Sequence, residues 1–132
     1  MKTLFILSLF MGFSHFANAD TKDEDHFISP EVVNTMIKNK KAILIDVRDD
    51  EEVQEGMAAP AVWLPLDKME KDNPAWVKLL KYTPKNKKVV FYCAGGFRAA
   101  EAVKKMQKNG YQAFNMGGYS SWVKAGLPTK KP

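Results

Sequence analysis

The stretch Lys88-Val89-Val90-Phe91-Tyr92-Cys93-Ala94-Gly95-Gly96-Phe97-Arg98 decides the fold. Val89 to Tyr92 are β-branched and aromatic residues, and they follow the turn-forming Thr83-Pro84-Lys85-Asn86, so Lys88 to Tyr92 is predicted to be a strand. Cys93 and two glycines come directly after it. From Arg98 or Ala99 the pattern becomes helical, with Ala99, Ala102, Val103 and Met106 facing inward and Gly110 stopping the helix after Lys108. A strand that runs through a glycine loop into a helix is the repeating unit of a parallel α/β sheet.

The same alternation continues outward in both directions. Ala42 to Val47 is an apolar run broken only at Asp46, the pattern of a strand covered on both faces. Ser29-Pro30-Glu31 predicts a helix start, with a capping hydroxyl, a proline at the first position and an acid at the positive end of the dipole. Val32, Val33, Met36 and Ile37 give that helix its apolar face. Asp49 caps a short acidic helix ended by Gly56, and Ala61 to Leu64 reads as a short strand stopped at Pro65. Asn73-Pro74 opens a further helix whose buried face is Trp76, Val77 and Leu80. Gln112 to Asn115 is the last predicted strand, Gly117-Gly118 a turn, and Ser120 to Ala125 a helix carrying Trp122. The predicted class is α/β, with a mostly parallel central sheet flanked by helices.

Met1 to Phe13 combines a positive start with an apolar run too short to span a bilayer, and Ala17-Asn18-Ala19 supplies small residues. This predicts a signal peptide at residues 1–19, cleaved before Asp20, and a periplasmic or secreted protein that leaves the membrane after cleavage. Removing it from the 132-residue chain leaves 113 residues, enough for one domain. Residues 20–26 read as a flexible arm, 27–128 as the domain and 129–132 as a tail. Lys2 is the only charge removed, so the formal charge of +5 falls to +4. Arg48 and Arg98 are the only arginines, which argues against a nucleic-acid partner, since phosphate and base recognition favour arginine with interleaved aromatics.

Cys93 is the only cysteine, so no internal disulfide can form, and three explanations of it stay open: a free thiol, an intermolecular bridge or an apolar filler. Its neighbours favour chemistry. In open α/β sheets ligands bind beyond the carboxyl ends of strands, where loops enter helices. Gly95 and Gly96 let backbone amides turn inward as an anion nest, and the helix after them points its positive end at the same place. Such a field favours a thiolate or persulfide anion, and Arg98 adds a cation able to hold an oxyanion. After cleavage His26, in the arm, is the only histidine, so a Cys-His pair is not expected. One cysteine, one histidine and scattered methionines do not form a metal shell, so neither metal nor cofactor is expected. Met57, Met106 and Met116 read as packing.

Leu44-Ile45-Asp46-Val47-Arg48, Cys93-Ala94-Gly95-Gly96-Phe97-Arg98, Gly110-Tyr111, Gly117-Gly118, Trp122 and Ala125-Gly126-Leu127-Pro128, in this order, resemble the successive signatures of a single-domain rhodanese. The resemblance spans residues 27 to 128. It implies a rhodanese-like three-layer fold and a sulfurtransferase in which Cys93 takes a sulfane sulfur from a small anionic donor such as thiosulfate. The sulfur would pass to cyanide or a thiol, a protein acceptor included. The amides of Ala94, Gly95, Gly96, Phe97 and Arg98 would cradle the transferred group, and Arg98 would bind the donor. Asp46 and Arg48 would support the fold beside the site, although helix capping and a surface ion pair explain Arg48 equally well. The chain departs from the family at Gly56-Met57-Ala58-Ala59-Pro60-Ala61, which lacks the family's usual histidine and second glycine, and this implies altered packing near the active face.

Two other classes use similar parts. Thiol-based phosphatases and arsenate reductases place five residues between cysteine and arginine where this chain has four, and the shorter loop suits a sulfur atom better than a phosphoryl group. Non-catalytic rhodanese-like binding modules typically lose the cysteine, which this chain keeps.

Overall fold

The computed structural model describes residues 26–132; the predicted signal peptide and residues 20–25 of the arm lie outside the described residues. The elements run α1 (Pro30–Lys38), β1 (Ala42–Asp46), α2 (Asp50–Gln54), β2 (Met57–Ala58), β3 (Val62–Trp63), a 3-10 turn (Leu66–Lys68), α3 (Pro74–Tyr82), β4 (Lys88–Cys93), α4 (Phe97–Lys108), β5 (Ala113–Gly118), α5 (Tyr119–Lys124) and β6 (Thr129–Lys130). The main sheet is parallel, in the order β3-β1-β4-β5. The chain therefore winds outward from β1 to β3, then returns to the other side of β1 for β4 and β5. The order reverses between β1 and β4, and a crevice opens at such a switch point beyond the strand ends. Asp46 ends β1 and Cys93 ends β4.

Alternation along the strands sorts the core into two layers. Ile45, Val89 and Phe91 face one way, against Ala99, Ala102, Val103 and Met106 of α4 and Trp76 of α3. Leu44, Val90, Tyr92 and Met116 face the other, against Val33 of α1 and Trp122 of α5. This is the predicted three-layer α/β arrangement. Trp122 is completely buried and its indole N–H donates to Pro128 O at 2.8 Å, so the large ring fills its layer without an orphaned donor.

Several details differ from the sequence reading. Ser29 makes no side-chain cap, and its carbonyl accepts the Val33 amide instead. Val77 and Val32 are exposed; Leu79 and Leu80 pack with Trp76, so the inward face of α3 is turned by one residue from the predicted one. Gly117 and Gly118 are not a free turn but the end of β5, paired with Tyr92 and Cys93 after a register shift. Thr129 and Lys130, assigned to the tail, pair antiparallel with Met57 and Ala58. The Met57 region is thus held by a small second sheet, with Met57, Met106 and Met116 all buried as predicted. His26 is exposed, yet its carbonyl accepts the Asn115 amide at 2.6 Å and its ring meets Phe114 edge-on.

Tyr92 joins the two sheets: its hydroxyl accepts the Ala58 amide at 3.0 Å. Burial, followed by the neighbouring Asp46 carboxylate, pushes the phenol well above its ordinary range, so it stays neutral. Tyr92→Phe leaves the buried Ala58 amide unpaired and is expected to cost about 1–3 kcal/mol, measured by urea unfolding; unchanged stability would show that the amide finds another acceptor.

Candidate active site

Cys93 is the last residue of β4 and is 1% exposed. Its Sγ accepts the Gly96 amide at 2.9 Å. Gly96 occupies the N-cap position of α4 with φ +96°, a left-handed backbone that a side chain would strain. The loop therefore folds back over its own sulfur and leads straight into the positive end of a twelve-residue helix.

The loop is held from β5. Asn115 donates from Nδ2 to Gly96 O at 3.0 Å and accepts the Gly117 amide on Oδ1 at 2.8 Å. Gly118 lies so close to the loop that a Cβ there would sit 2.3 Å from Ala94 O, a distance no side chain tolerates. Asn115 was not singled out from the sequence. A signal for it existed, since an asparagine two residues before a glycine can bond that residue's amide with its own side chain.

Asp46 and Arg48 lie beside the loop, and neither is at the surface. Arg48 Nε donates to both Asp46 carboxylate oxygens at 3.0 and 3.1 Å, and Nη2 donates to Oδ2 at 2.8 Å. The remaining N–H groups reach Gly56 O at 2.7 Å and Glu52 O at 3.4 Å. The Tyr119 ring lies 4.3 Å from the guanidinium carbon. Trp63 donates its indole N–H to Arg48 O at 2.8 Å, tying β3 to the same place. Among the described residues no buried side-chain nitrogen or oxygen lacks a partner.

Arg98 reaches the site but is not presented as an unengaged cation. Its Nη1 donates to Glu52 Oε2 at 2.6 Å and its Nη2 to Glu52 Oε1 at 2.8 Å, a fork-to-fork pair; Asp49 Oδ2 stands 3.5 Å from Nη1. The hydrogen bonds from Arg98 pull the Glu52 carboxyl down to about 2, against the opposing effect of burial. The same pair raises Arg98. Glu52 is also oriented from behind, because the Asp49 amide donates to Oε2 at 2.9 Å. Sequence reasoning missed Glu52. Phe97, the first residue of α4, is 90% exposed at the loop. A cleft of about 360 Å³ flanks α4, with Ala100, Val103 and Lys104 on one wall, His26 and Phe27 opposite, and Asn115 linking it to the loop. No group of three or more possible metal ligands occurs among the described residues.

A parallel α/β sheet with a cysteine closing β4 and a glycine loop entering α4 defines a rhodanese-like domain. Residues 29–125 match the family model of the rhodanese-like domain, and the chain belongs to that family. It is 32% identical over 87 residues to the tRNA uridine(34) hydroxylase of Sodalis glossinidius, covering 66% of this chain and 24% of that one. To its counterpart in Yersinia enterocolitica it is 31% identical over 117 residues, covering 84% of this chain and 33% of that one. The chain thus spans about a quarter to a third of these curated relatives. Among solved structures, a rhodanese-related protein from Thermoplasma volcanium superposes with a TM-score of 0.64 at 25% identity, covering 80% of this chain and 97% of that one. A thiosulfate sulfurtransferase from Pseudomonas aeruginosa shares the fold, with a TM-score of 0.68 at 24% identity over 81% of this chain and 19% of that one.

Two predictions come from these ion pairs. Asp46→Asn leaves a buried guanidinium without its counter-charge, and urea unfolding is expected to show a loss of about 3–5 kcal/mol; a loss below 1 kcal/mol, within the range of surface pairs, would mean that Arg48 is solvated. Glu52 sits at about 2 in the fold against an ordinary 4.5, so its pair with Arg98 stabilises the protein above the ordinary value and loses that effect as pH falls towards 2. The Tm difference between wild type and Glu52→Gln should therefore close as pH is lowered through this window, and a difference constant from pH 6 to about 2.5 would exclude the linkage.

Proposed function

We propose that the protein is an exported sulfurtransferase that carries a sulfane sulfur as a persulfide on Cys93. The observation that carries this reading is the seat of the sulfur: Sγ closes β4, accepts the Gly96 amide and lies beneath a loop that opens α4. Membership of the rhodanese-like family supports it. In the first half-reaction the Cys93 thiolate attacks the outer sulfur of a donor such as thiosulfate. The donor's S–S bond breaks, sulfite leaves with the electron pair, and a persulfide anion remains. In the second, cyanide or a thiolate attacks the outer persulfide sulfur, and the Cys93 thiolate departs unchanged. Charge balances in both steps and no external oxidant or reductant enters.

The fixed dipoles of the loop and the α4 terminus favour negative charge on the sulfur throughout. Export rests on residues 1–19 as a cleaved signal peptide; among the described residues no helix is long and apolar enough to cross a membrane. A protein thiol is one acceptor this reading admits. A tRNA substrate, named for the curated relatives, is not carried over: the match covers a minor part of them, and both arginines of this chain are already paired with carboxylates.

Intact-mass measurement after incubation with thiosulfate should show one added sulfur on the protein. Cyanide should remove it, and Cys93→Ala should never acquire it. If no sulfane donor yields an adduct, the proposal fails.

A further inference from the structure

We infer that Glu52, by occupying Arg98, sets the donor preference of the Cys93 site, turning it away from doubly charged oxyanions and towards singly charged organic sulfane donors of the thiosulfonate type; this rests on Cys93 as the sulfur carrier. Both ends of the Arg98 fork are taken by Glu52, at 2.6 and 2.8 Å. Glu52 is fixed by its neighbours: the Asp49 amide holds Oε2, and Arg48, itself locked to Asp46, binds the Glu52 and Gly56 carbonyls. With Asp49 near the same guanidinium, one positive charge at the loop faces two carboxylates. A dianion must either displace a preorganised carboxylate that is only 32% exposed or approach without the cation, and like charges at close range disfavour that approach.

The loop offers an organic donor something instead. Phe97, adjacent to Arg98 and almost fully exposed, is an apolar surface on which an alkyl or aryl group can rest. With a thiosulfonate the Cys93 thiolate attacks the outer sulfur, a new S–S bond forms, and the bond between outer sulfur and sulfonyl sulfur breaks. The sulfinate leaves with the electron pair, and the persulfide anion stays on Cys93. Reactants and products each carry two negative charges.

The test compares thiosulfate with the methanethiosulfonate anion, which differs by a methyl group in place of one charged oxygen, in a cyanide-coupled assay of thiocyanate formation on the purified protein. Wild type should use the monoanion with a kcat/KM about tenfold higher. Glu52→Gln, which removes the charge and keeps the shape, should lower the KM for thiosulfate by about tenfold, move the monoanion KM less than about twofold and leave kcat little changed. Glu52→Asp should keep the wild-type preference. A Glu52→Gln enzyme with the wild-type preference, or one in which both donors shift equally, overturns the inference. If Glu52→Gln does not fold, Asp49→Asn replaces it: a preference narrowed by about threefold supports the inference and an unchanged one overturns it. Absence of a Cys93 mass adduct with both donors would instead sink the sulfur-carrier reading, which the kinetic comparison among active enzymes leaves untouched.

Discussion

A guanidinium buried beneath a helix needs a counter-charge and hydrogen-bond partners for its nitrogens, and Arg48 obtains both from elements that otherwise have little contact. Asp46 at the end of β1 neutralises it, the carbonyls of Glu52 and Gly56 take its outward donors, and the Tyr119 ring covers its face. Replacing such a pair by apolar residues is often neutral or stabilising, so its net contribution to stability does not explain why it is there. Its geometric consequence does. A short helix with one buried residue, Val53, has no apolar stripe to fix its position, and the two carbonyl bonds from Arg48 attach it to the sheet. Because α2 is attached there, Glu52 reaches Arg98, and the charge at the mouth of the Cys93 loop follows from a pair formed one strand away.

The loop obeys a steric constraint from the opposite side. The register between β4 and β5 shifts after Phe91, so Tyr92 lies beside Gly117 and Cys93 beside Gly118. Irregularities of this kind re-aim a strand end and gather at functional sites. Here the shift brings the backbone of β5 against the Ala94 carbonyl, where only glycine fits. Asn115 then pins the Gly96 carbonyl, which turns the Gly96 amide towards the sulfur. Charge on one side and close backbone approach on the other hold the loop between them.

The sequence makes β1, β4 and α4 legible because each is long and regular: an apolar run, then a run ending in Cys-Ala-Gly-Gly, then a 3.6-residue stripe. The same residues locate Cys93 at a strand end, and the order of motifs carries the family. What is not legible has physical reasons. Met57–Ala58 and Thr129–Lys130 are two-residue strands with no period to read. Val77 reads as inward beside Trp76 and Leu80, but four apolar residues among 76–80 do not say which side of a helix meets the sheet. Glu52 sits among Asp49, Asp50, Glu51 and Glu55; its place three residues after the cap Asp49 marks it as a capping-box acid, but nothing local marks it as the partner of Arg98. Its partner is 46 residues away, and only the fold brings them together. Spacing from Cys93 puts Arg98 near the loop, whereas its commitment to a carboxylate is a tertiary fact.

That commitment separates two tasks that a sequence reading assigns to one motif. Under the proposed function, an Arg98 that stabilised negative charge on Cys93 would be drawn away from it by every anionic donor that bound. With Arg98 held by Glu52, the groups left facing Sγ are the Gly96 amide and the terminus of α4, which are fixed dipoles. The acids of α2 can vary the charge at the mouth without altering the seat of the sulfur. In this arrangement the backbone of the loop surrounds Sγ, and Glu52 of α2 sets the charge around the Arg98 that follows the loop.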